Sequence, residues 1–178
     1  MKQVMRFVHI LGLVLFLGSI LTFLVASSVG ADGGVADLAV ARRVISTGTS
    51  HLSLPGLALL IAAGVALVVT GSGMLKKWWV RVMAIAAAGI VANGFLVVLP
   101  AVHSATQLAE ASVAAGHLVA GYHQAYVRES SAGDVNIALG FVAMLAGVWG
   151  AGASRAAAQQ ADVPAAHRAG GESRDARG

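Results

Sequence analysis

A helix must run for about 20 apolar residues to cross the roughly 30 Å hydrocarbon core of a bilayer. This chain supplies four such stretches, at 7–27, 54–75, 79–102 and 135–153, free of Asp, Glu, Lys and Arg except for Arg81 at the entry of the third. The rest of the chain agrees with that reading. It is 57% hydrophobic and 11% charged, whereas soluble domains carry about 45–50% apolar and about 25% charged residues. A soluble particle of 178 residues with so few charges lacks the polar surface it needs. The expected fold is all-α, an integral-membrane four-helix bundle with short outer amphipathic helices. Residues 1–155 form the four-span domain and 156–178 a disordered tail, rich in Ala, Gln, Gly and Arg and without a bulky apolar residue.

Placement of the basic residues orients the bundle. Lys2, Arg6, Lys76, Lys77, Arg81, Arg155, Arg168, Arg174 and Arg177 fall on one side, nine of the twelve. The other side holds Arg42, Arg43 and Arg128 together with Asp32, Asp37, Glu110, Glu129 and Asp134. The positive-inside rule makes both termini cytoplasmic and turns the two long connections outward. Topology therefore accounts for the net charge of +4, and nucleic acid is not an expected partner. A cleavable signal peptide ending near Val29-Gly30-Ala31 is the alternative for the N terminus. Its apolar core would be longer than the usual 7–15 residues.

The two long connections resemble one another, since each places an arginine about ten residues ahead of a span and a small-polar cluster after it. That suggests two related hairpins. Residues 103–128 carry a polar face of His103, Gln107, Glu110, His117, Gln124 and Arg128, as an outer amphipathic helix would, either extending the third span past Pro100 or lying along the outer membrane surface. Residues 35–46 predict a shorter one. Stripes of small residues, among them Gly140 and Gly147, mark helix-packing faces, and a homodimer is one use for them. Asn93 lies mid-span, where an unpaired amide is costly, so it should face the bundle and bond to a neighbouring helix. His9, Gly12, Ser19 and Thr22 share one face of the first span. A histidine one turn inside the membrane is not needed for spanning, which leaves a hydrogen bond to a neighbour, a proton relay or an axial haem ligand as its roles.

The stretch at 9–19, His-Ile-Leu-Gly-Leu-Val-Leu-Phe-Leu-Gly-Ser, resembles the first-helix signature His-x-x-Gly-x-x-x-Trp-x-Gly-Gly of an uncharacterised bacterial four-helix membrane family. Leu54-Pro55-Gly56, Trp78 or Trp79, and Leu99-Pro100-Ala101 continue the likeness. The pattern is also similar to that of the copper-resistance D membrane domain and the HemJ-type protoporphyrinogen oxidase. That resemblance implies haem b bound at His9. Phe16 and Ser19 stand where the signature has tryptophan and its second glycine, and the oxidase's basic residue deep in a later helix has no equivalent here. The oxidase activity is therefore not implied.

On residue chemistry, Met74 and Met83 lie at the depth of His9 and could supply a second axial ligand, while the histidines outside lie a membrane's width away. His51, His103 and His117 with Glu110 are candidates for copper or zinc. His103 and His117 are roughly 21 Å apart along one helix, so that site needs a break at Gly116 or Gly121. No catalytic motif of hydrolases or nucleotide enzymes occurs. The first functional reading is thus an inner-membrane protein acting through helix packing or partner binding. The second is a haem-b oxidoreductase passing electrons between a quinone and a donor. Copper or zinc handling is the third.

Overall fold

The computed structural model describes residues 2–71 and 73–161. Among them every element is helical: α1 (Lys2–Asp32), α2 (Val35–Gly48), α3 (Leu54–Thr70), α4 (Trp78–Asn93), α5 (Leu99–Ala115) and α6 (Tyr122–Ala161). A π-helical turn, Thr49–Ser53, joins α2 to α3, and another, Gly94–Val98, joins α4 to α5. The result is four long antiparallel rods, Gln3–Asp32, Val35–Thr70, Trp78–Ala115 and Tyr122–Gly150, each long and apolar enough to cross a membrane. The first residues and the 71–77 turn lie at one end, called here the terminal end. The Gly33–Gly34 and 116–121 connections lie at the other, the distal end.

α5 prolongs α4 past Pro100, one of the two arrangements open to it, whereas the expectation of a separate short helix at 35–46 is corrected, because α2 prolongs α3. A proline inside a helix lacks an N–H and crowds the carbonyl four residues back. Here Pro55 and Pro100 each stand two residues after a π turn, where the Leu54 and Leu99 N–H groups reach back five residues to the Thr49 and Gly94 carbonyls. The wider turn absorbs the missing donor, and the rod continues. The expected helix at 103–128, in contrast, breaks. Gly116 (φ 71°) and Gly121 (φ 90°) adopt the left-handed region that glycine alone enters without strain. The Ser112 hydroxyl accepts the Val119 N–H (3.1 Å) and fastens the loop between them. No element boundary falls at 135, since α6 runs unbroken from Tyr122 and continues through 156–161. The remainder of the expected tail, with His167, lies outside the described residues.

The breaks do not repeat as two like hairpins would require. They occur in the second rod and the third, the two that are joined at the terminal end.

Packing is built on small residues. α1 lies along α3, α4 along α6, and α2 crosses to α5. At the distal end Ala39, Ala105, Ala109 and Tyr122 form a buried cluster, with Leu38, Leu108 and Ala125 against it. Gly12 of α1 and Gly56 of α3 face each other so closely that a Cβ on Gly12 would stand 2.6 Å from the Leu60 nitrogen. Gly150 is covered by the Trp79 ring and Gly147 faces Met83, whereas around Gly140 there is open space.

Candidate functional site

The face shared by His9, Gly12 and Ser19 is the one that meets α3. His9 Nδ1 lies 3.0 Å from the Leu60 carbonyl, and its ring lies beside Gly64. Ser19, 1% exposed, donates to the Phe16 carbonyl at 2.7 Å and shares a hydrogen bond with Ser53 of the first π turn. Thr22 departs from this face: it is exposed and bonds the Gly18 carbonyl of its own helix. Asn93 of α4 donates to the Ala132 carbonyl (2.7 Å) and to Asn136 Oδ1 (2.8 Å), both on α6.

The other sequence candidates do not converge. Met83 packs toward Gly147 on α6, and Met74 against Gly71 within its own turn. His51 and His117 are exposed, with Nδ1 beside the Thr47 and Ala115 carbonyls of their own segments. His103 is exposed as well. Glu110 is held by Arg43 at 2.8 Å. Among the described residues no group of three or more His, Asp or Glu side chains is disposed to hold a metal ion.

What the structure does bring together is a cavity of about 190 Å³ between all four rods, level with both π turns. Phe16, Phe23 and Phe95 contribute aromatic wall, and Leu57, Ile90 and Val102 aliphatic wall. The polar lining comes mainly from one strip of α6, namely Glu129, Ser130, Asp134 and Asn136, with Thr49 and Ser53 opposite. A second cavity of about 280 Å³ opens at the distal end, lined by Leu38, Arg42, Tyr122 and His123. The two share Ser27 and Tyr126. His9 lines neither.

Two acidic residues on this strip differ in their surroundings. Glu129 pairs with Arg42 of α2, which is 2% exposed and whose Nε has no partner among the described residues. Asp134 has no hydrogen bond or ion pair among the described residues. It is bracketed by Ala132 and Asn136, the two positions Asn93 grips, and at 1.5 Å per residue it sits roughly 18 Å along α6 from Tyr122. Reading the sequence for charge-free windows puts Asp134 in the connection before the last span. The structure places it on the rim of the cavity, exposed. The neighbouring Asn136 offered no signal for it, because residues two apart on a helix point to nearly opposite sides.

Compared with family models, with curated proteins and with solved structures, the chain matches none.

Proposed function

We propose that this chain is a multi-pass protein of the bacterial inner membrane, termini cytoplasmic, that binds a small molecule in the four-rod cavity on the outward side of the bilayer. The observation that carries the reading is the cavity itself: apolar and aromatic walls with a few convergent polar groups are what small-molecule sites are made of. Basic residues concentrated at the terminal end support the orientation. The broken rods support the location, because π turns inside helices recur at functional sites. The volume lies below the about 300–1,000 Å³ of drug-sized pockets, so the ligand is small.

Two glycines give a clean test. Gly94 and Gly133 both line the cavity, and a Cβ on either meets nothing within 4 Å. Gly94→Leu and Gly133→Leu therefore fill the space without moving a helix. Solvent extracts of wild-type protein purified from membranes are expected to contain a small molecule near one per chain by mass spectrometry, absent from both variants while they stay folded and monodisperse. Filled variants that retain everything the wild type carries would refute the site.

The second reading keeps His9 as an axial ligand of haem b in a membrane redox protein with a quinone as partner. Its support is the Leu60 carbonyl on His9 Nδ1, the kind of contact that fixes a ring and leaves Nε2 for a metal, together with the resemblance of the first helix. A bound haem would supply one-electron chemistry, with His9 holding its iron. The surroundings fit poorly, because neither methionine is turned toward His9 by the contacts it makes and neither cavity reaches it. Protein expressed with supplied haem is expected to show no Soret band. A band near one haem per chain that disappears in His9→Ala would instead establish this reading.

A further inference from the structure

Resting on the cavity reading, we infer that the ligand is a small organic cation, with the Asp134 carboxylate as its counter-ion and the phenylalanine rings as its apolar seat. The charge inventory of the lining decides the sign. Among the described residues, Glu129 and Asp134 are the only ionisable acids or bases on the cavity wall besides Tyr126. Glu129 is taken by Arg42, and Arg42 itself lines the second cavity and not the first. One carboxylate, exposed at the cavity rim, is thus left without a partner among the described residues, and no described Lys, Arg or His lines the cavity to receive an anion.

A carboxylate inside a membrane-spanning segment is costly to keep without a partner, and groups of this kind mark ligand and ion paths. An organic cation answers both halves of the site. Its charge meets Asp134, and its carbon shell meets Phe16, Phe23 and Phe95, whose ring faces attract cations through the quadrupole. An inorganic ion fits less well, since it would leave most of the about 190 Å³ and all of the aromatic wall unused. That volume is roughly six times the share of a water molecule in the liquid, about right for one substituted ammonium group with a ring or short chain.

Benzyltrimethylammonium and its neutral carbon isostere neopentylbenzene make the test, because they differ in charge and not in shape. Binding of each to the full-length protein in phosphatidylcholine nanodiscs is measured for wild type, Asp134→Asn, Gly133→Leu and, as a control at a paired surface acid, Glu110→Gln. Wild type and the control are expected to bind the cation at least tenfold more tightly than the isostere. Asp134→Asn is expected to erase that preference, with Asp134→Ser in its place if the first variant does not fold. Gly133→Leu is expected to bind neither. Equal affinities in wild type, or a preference that survives loss of the carboxylate, would overturn the charge assignment and leave the cavity standing. Failure of both compounds to bind wild type, or binding unchanged by Gly133→Leu, would overturn both.

Discussion

Arg42→Met is expected to cost about 3–5 kcal/mol of folding free energy, the usual penalty for stripping one partner from a buried ion pair. Arg42 is 2% and Glu129 15% exposed, so the remaining carboxylate would find only the little water the cavity admits. The backbone around Arg42 is also committed, with its carbonyl 3.4 Å from the Thr106 hydroxyl of α5. Replacing both partners removes the stranded charge, and Arg42→Met combined with Glu129→Met is expected to recover most of the loss, since apolar pairs of similar volume are often neutral or better. The neighbouring pair provides the contrast. Arg43 and Glu110 are 66% and 43% exposed, and breaking a pair as wet as that costs about 0–1 kcal/mol. Unfolding by SDS titration in mixed micelles measures all of these on one scale. An Arg42→Met cost no greater than that of Arg43→Met would show that the pair is not dry.

This ion pair also marks where the sequence stops being informative. Arg42 and Glu129 both read as connection charges, because in a one-dimensional window a charge ends a span. Burial of Arg42 depends on Ala39, Ala105 and Ala109 being small enough to let α2 and α5 close over it, a fact about two segments more than sixty residues apart. The place of Asp134 is missed for the same reason: the last span is taken to begin after it, although α6 starts at Tyr122 and runs straight through it to the cavity rim. Length and apolarity, by contrast, are local properties, and the four rods were readable from them alone. So was the contact face of α1, where three of its four expected members, His9, Gly12 and Ser19, do meet α3. The partners of that face were not readable. Leu60 offers only a carbonyl and Gly56 only the absence of a side chain, and neither leaves a mark in composition. At Pro55 and Pro100 it is the π turn before each proline that lets the rod continue.

Gly12→Ala should separate the two helices that the first hairpin depends on. The added Cβ would meet the Leu60 nitrogen at 2.6 Å and the Gly56 oxygen at 2.8 Å. Both are backbone atoms of α3 and cannot rotate aside, so α1 has to move as a unit. Overpacking of this kind costs about 1–3 kcal/mol, and here the shift propagates along the same face to the Ser19–Ser53 bond and to His9 on Leu60. Gly18 lies on the same helix, yet a Cβ there meets nothing within 4 Å. Gly18→Ala gives the same gain in helix propensity without the clash and is expected to be neutral or to stabilise by up to about 1 kcal/mol. The opposite signs are the useful result. A shared effect would reflect helix propensity or insertion, whereas a loss confined to Gly12 locates the cause at the crossing with α3. Ser53 ties that crossing to the first π turn and lines the cavity. Gly12→Ala is therefore also expected to weaken binding of benzyltrimethylammonium, measured in the same nanodiscs, although Gly12 does not line the cavity.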